Sequence, residues 1–112
     1  MRALIGSALL IVLLCSSTIG DEWRAEVYRI EQEIEVHKGR YARSMDRSER
    51  FRDEASWTHF DDHARYRSLM GRSASEKEYA EEARKAAEEL MERRDQILKD
   101  RGMPSGRNDT PW

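Results

Sequence analysis

His59 and His63 stand four residues apart, the separation at which two imidazoles on one helix face can grip a single metal ion. Asp62 adjoins the pair, and His37 is a third imidazole that could close the set. Neutral imidazole nitrogens with a carboxylate or a water are ligands that zinc or another divalent transition metal accepts. The metalloprotease pattern is not present, because Phe60 follows His59 and no glutamate occupies the general-base position. The plainer reading is two half-exposed histidines on an amphipathic helix. No cofactor is therefore the primary expectation, and a metal-binding module on His59, His63 and Asp62 is the alternative.

Arg40, Arg43, Arg47 and Arg50 recur at intervals of three, four and three, which lines four guanidinium groups along one helical stripe. The planar fork of arginine suits carboxylate and phosphate. Such a stripe could hold an anionic surface: a lipid headgroup, a wall polymer or an acidic helix face. The plainer reading is that the stripe lies solvated or pairs within the chain with Glu81, Glu82, Glu88 or Glu89. Nucleic acid is not expected, since the chain has a net charge of −2 and Asp46 and Glu49 interrupt the basic run.

Nucleophilic catalysis finds no support. None of the serines lies in a Gly-x-Ser-x-Gly elbow, and the single cysteine, Cys15, sits in an apolar leader. Asp61 and Asp62 are adjacent, so on a helix they project in different directions and cannot share a substrate. The sequence points away from an enzyme.

The elements that must position these residues are helical. Trp23, Val27, Ile30, Ile34, His37 and Tyr41 are spaced 4, 3, 4, 3, 4, a heptad seam on one side of a helix spanning about 22–50. Beyond Tyr41 the seam thins to Met45 and Ser48, and Gly39 inside it costs about 1 kcal/mol relative to Ala. A second helix is expected over 75–101. Gly71 and Ser73 read as a turn before it, Ser75 and Glu78 form a capping box, and Gly102 and Pro104 stop it. Its apolar face comprises Tyr79, Ala83, Ala86, Leu90 and Ile97, flanked by Ala80, Ala87, Met91 and Leu98. Residues 53–70, free of Gly and Pro, read as a bridging helix with Trp57 and Phe60 on one side and His59, His63, Tyr66 and Met70 on the other. Residues 103–112, with two prolines, a glycine and polar neighbours, read as a disordered tail in which Trp112 is conspicuous.

The expected fold is thus all-α: an elongated helical hairpin or a three-helix arrangement with coiled-coil character. An extended coiled coil is the alternative. Ahead of it, Arg2, the apolar run Ala3–Cys15 and the small residues to Gly20 have the order of a signal peptide or a membrane anchor. A lipid attachment at Cys15 is disfavoured by bulky Leu14. Arg2 before the run and Asp21 and Glu22 after it leave the N-terminus in the cytosol and send the remainder across, to a secreted or periplasmic location or one tethered by residues 3–20. In order of elements alone the chain resembles small anchored coiled-coil proteins of bacterial envelopes and phage lysis cassettes, with no shared motif.

Past Gly20 there is no cysteine and therefore no disulfide, so packing alone must hold the exported part. Its 22 acidic and 19 basic residues leave little apolar mass for a core. The expected function is non-enzymatic: contact with a protein partner, or self-association, through the seam of Trp23, Val27, Ile30, Ile34 and Tyr41.

Overall fold

Two long helices account for most of residues 21–112, which are the residues described by the computed structural model. Helix α1 runs Glu22–Ser56 and helix α2 runs His63–Asp100. They pack side by side as an antiparallel hairpin closed by a six-residue turn, Trp57–Asp62. At 1.5 Å per residue the 38 residues of α2 make a rod of about 57 Å. The expected leader, residues 1–20 with Cys15, lies outside the described residues.

The heptad register of α1 is the reason the two rods pair along their whole length. Val27, Ile30 and Ile34 are buried, and the same 3–4 spacing continues through half-buried His37 and Tyr41 to buried Ser44, Ser48 and Ala55. The seam therefore passes through Ser44 rather than Met45. On α2 the matching positions are Leu69, Ser73, Ala80, Ala83, Ala87 and Met91, with Leu98 near the end. The character of the seam changes along its length. Near the open end Ile30, Ile34, Ala87 and Met91 form the core, with Leu90 and Ile97 packed against it. Towards the turn the facing residues become small, and Ser48 meets Ser73 with neither more than 3% exposed.

The three-helix alternative is not what forms. The turn expected at 71–75 is helix interior, and the bridging helix expected over 53–70 is divided between the end of α1, the turn and the start of α2. Gly71, Ser73 and Ser75 resemble a turn in composition, but Ser73 is small because it packs against Ser48, and a single helical glycine costs only about 1 kcal/mol. The Ser75–Glu78 capping box therefore caps nothing.

The true turn contains no glycine or proline and is made by side-chain capping. Ser56 Oγ donates to the Asp53 carbonyl at 2.6 Å and Thr58 Oγ1 to the Glu54 carbonyl at 3.0 Å, which satisfies carbonyls left open where α1 ends. Asp62 then caps α2, its carboxylate accepting from the Arg65 amide at 3.1 Å. Arg65 also reaches back to Glu54 at 2.9 Å and ties the two helix ends together.

At the far end the predicted stop holds. Gly102, at φ +70°, is left-handed; its amide donates to the Lys99 carbonyl at 3.0 Å and the Met103 amide to that of Leu98 at 2.9 Å, the paired bonds of a Schellman cap. The tail beyond has no regular structure, yet it does not trail away as expected. It folds back along α2 and brings Trp112 onto the core, edge-on to Tyr41 with ring centroids 5.2 Å apart.

Candidate functional site

Four groups of residues carry the chemistry this hairpin could do, and the helix register decides where each one goes. The five seam residues expected to meet a partner are first. Val27, Ile30 and Ile34 are buried against α2, so their apolar area is already spent inside the chain. Tyr41 is half-covered and packs on Trp112. Trp23, also half-covered, lies beneath two guanidinium groups, Arg24 at 5.3 Å and Arg101 at 5.7 Å from its ring centroid. Arg101 belongs to the far end of the chain, so this contact closes the open end of the hairpin.

The arginine stripe separates into two parts. Arg40, Arg43 and Arg47 border a groove of about 620 Å³ between the helices, together with His37 and Ser44 of α1 and Glu76, Tyr79 and Glu82 of α2. Arg50 is not in it, being turned outward to Asp46 at 3.0 Å. None of the acids expected to neutralise the stripe, Glu81, Glu82, Glu88 or Glu89, pairs with it. Arg47 instead meets Glu76, Nε to Oε2 at 3.3 Å, in a geometry too bent for a hydrogen bond, and that oxygen is buried without another partner. Arg40 and Arg43 make no ion pair among the described residues. The Arg43 guanidinium lies over Gly39, its nearest nitrogen 3.5 Å from where a Cβ at Gly39 would be.

The histidines do not come together as a helical pair. His59 lies in the turn and His63 is the first residue of α2, so the i, i+4 helical spacing is lost, and Asp62 is engaged as the cap between them. His37 sits 19 residues before the end of α1, about 28 Å along the rod. It lines the arginine groove instead. Among the described residues no group of three or more His, Cys, Asp or Glu is arranged to hold a metal ion.

The apex was not legible as a surface. Trp57 is 83% exposed and Phe60 93%, the two most exposed large apolar side chains among the described residues. Tyr66 on the first turns of α2 adds a third partly exposed ring. The signals that could have located them are Ser56, Thr58 and Asp62, residue types that favour helix ends over helix middles.

A further charged residue escaped sequence reasoning because it occupies a seam position. Arg94 is only 3% exposed, bonded through Nε to Asp95 at 3.2 Å and through Nη2 to the side-chain oxygen of Asn108 at 2.8 Å. Asp95 in turn accepts from the Gly106 amide at 3.3 Å. The expected apolar face of α2 is accordingly rotated: Tyr79 is exposed, and Ala80, Ala87, Met91 and Arg94 take the inner positions. On the outer side, Arg84 bonds Glu81 at 2.8 Å and Glu88 at 3.0 Å. The first of these bonds holds the Glu81 carboxyl below the ordinary glutamate range and raises the Arg84 pKa.

Comparison with protein-family models, curated proteins and solved structures finds no match for the chain. Among the described residues no helix is long and apolar enough to cross a membrane.

Proposed function

We propose that this is an exported or membrane-tethered helical protein, not an enzyme, that works by protein–protein contact between copies of itself through the apex of its hairpin. The observation that carries the reading is the exposure of Trp57 and Phe60 at 83% and 93%, the highest of the large apolar side chains among the described residues. Large aromatic side chains are the groups that most often anchor interfaces. With the α1 seam occupied by α2, the apex carries the two most exposed large apolar side chains among the described residues, ahead of Tyr28 and Tyr79.

A second copy fits the local charge. Arg52, Arg65 and Arg67 nearly balance Asp53, Glu54, Asp61 and Asp62, so two apices can approach without strong repulsion. A two-fold arrangement would set the same patch against itself, the commonest geometry for paired identical chains. The apolar leader would place every copy with the same orientation at a membrane, which raises the local concentration.

Cross-linking in the exporting cell tests this. In a full chain carrying Cys15→Ser, His59→Cys places one thiol at the exposed apex, in a compartment that permits disulfides. The expected product is a disulfide-linked dimer that disappears when Trp57→Ala and Phe60→Ala are added. Because both rings are exposed, helicity by circular dichroism should not change. A chain that stays monomeric, or cross-links equally without the two rings, overturns the reading; capture of a different protein at the apex would replace the second copy with that partner.

A further inference from the structure

The groove between α1 and α2 has the make-up of a ligand site, and we propose that it binds a phosphate-type oxyanion through Arg40 and Arg43. This inference is independent of the apex contact.

The charge of the groove is what identifies its ligand. Three guanidinium groups face it, and only Arg47 meets an acid, Glu76, at 3.3 Å. Glu82, exposed on the opposite wall, has no ion pair with any of them. Most other arginines of the hairpin have partners: Arg24, Arg50, Arg65, Arg84, Arg93 and Arg94 are ion-paired, and Arg72 and Arg101 lie over aromatic rings. Arg40 and Arg43 are therefore two guanidinium forks without an ion pair among the described residues, three residues apart on one helix, bordering one space of about 620 Å³.

Neighbouring groups extend the set. His37, half-buried and one turn before Arg40, supplies ring nitrogens, and Tyr79 supplies a hydroxyl donor from the other helix. Ala83 and Ala86 form a smooth floor that leaves the space open. Gly39 contributes by what it lacks, since the Arg43 guanidinium rests over it where a longer side chain would stand. Planar forks in this number match the several oxygens of a phosphate or pyrophosphate group better than a single carboxylate. The phosphate could belong to a free soluble anion or to a lipid headgroup, and the chemistry of recognition is shared.

The test uses the full chain and inorganic pyrophosphate at low ionic strength, followed by calorimetry. Saturable binding is expected, weakened by roughly tenfold or more in an Arg40→Gln, Arg43→Gln double variant. Arg50→Gln, which changes charge on the same helix outside the groove, should bind as the parent does. Co-sedimentation with phosphatidylglycerol vesicles against phosphatidylcholine vesicles separates the two sources. A loss of the anionic-vesicle increment in the double variant but not in Arg50→Gln assigns the headgroup; pyrophosphate binding without that difference assigns a free anion. No saturable binding in either arm, or an equal loss in Arg50→Gln, overturns the site. A response to polyglutamate alone also overturns it and points to an acidic protein.

Discussion

Ser48 and Ser73 bond each other across the hairpin: their hydroxyl oxygens are 2.9 Å apart, and each also lies 3.0 Å from the other's carbonyl oxygen. Two hydroxyl protons thus have carbonyl and hydroxyl acceptors within reach, in a seam position where Ser48 is fully buried. Small side chains let the rods approach, and the reciprocal bonds fix their register at that level.

The pair makes a specific prediction about additivity. Ser48→Ala or Ser73→Ala alone should cost about 1 kcal/mol, because the remaining hydroxyl keeps only part of its bonding in a dry place. The double Ala variant should cost less than the two singles together, since the hydroxyl–hydroxyl contact is broken by either substitution and is lost only once. Urea denaturation of the three variants gives the coupling directly. Ser48→Leu, by contrast, must force the helices apart and should lose about 1–3 kcal/mol or more. Strict additivity of the two alanines would show that the two hydroxyls do not bond each other and that each bonds only the opposing carbonyl.

Gly71 tests the path of the chain. It lies within α2, its φ is not positive, and nothing stands within 4 Å of where a Cβ would be. Gly71→Ala should therefore stabilise the protein by about 1 kcal/mol, the ordinary helical preference of Ala over Gly. The denaturation midpoint should rise with an unchanged slope. If residue 71 were instead in a turn requiring glycine, the same substitution would destabilise.

The contrast between Gly71 and the real turn shows what was readable in the sequence. The 3–4 spacing from Trp23 to Tyr41 located α1 and its inner face, and Gly102 with Pro104 located the end of α2, because periodicity and left-handed glycine are local properties. The division into three helices misread small residues. Gly71, Ser73 and Ser75 are turn-like in isolation, and only the opposing Ser48 explains why Ser73 is small. The Arg40–Arg43–Arg47 stripe was visible as a period, but the groove needs Tyr79 and Glu76 from α2, 29 or more residues beyond Arg47. The placement of Arg94 and Trp112 was illegible for the same reason: Arg94 is buried and Trp112 half-buried through the folding back of a tail whose composition reads as solvent-loving.

Acid should act measurably on α2. Arg84 donates from Nε at 3.1 Å and Nη2 at 2.8 Å to Glu81, and this bonding lowers the Glu81 pKa. A carboxylate whose folded pKa is depressed contributes stability above its unfolded pKa and loses it as pH falls through the folded value. The Glu81 contribution should thus be intact at neutral pH and fade on the acid side of the usual glutamate range. Both groups are solvated, so the effect on global stability is small and the site-resolved titration is the better measurement. In Arg84→Gln the Glu81 carboxyl carbon, followed by NMR, should titrate at higher pH than in the parent. Coincident titration curves would remove the assigned bond.

The C-terminal tail gives the sharpest structural test, because one hydrogen atom's replacement should dislodge it. A Cβ at Gly106 would collide with the Arg94 side chain, meeting Nε and, at 2.6 Å, Cζ. That guanidinium cannot readily yield, being buried between Asp95 and Asn108. Gly106→Ala should therefore lift residues 103–112 from α2 and expose the face of Tyr41 that Trp112 covers. Limited trypsinolysis reads this out, since Arg107 lies in the tail and should be cut faster once the strap is loose. Asn108→Ala should accelerate the same cleavage more weakly, by removing one of the bonds to Arg94 without a clash. Arg107 is itself exposed in the parent, so what changes is the backbone's freedom to enter the protease, not the accessibility of the side chain. Equal cleavage rates in the parent and Gly106→Ala would mean that the tail already moves freely in solution and that Trp112 adds nothing to the core.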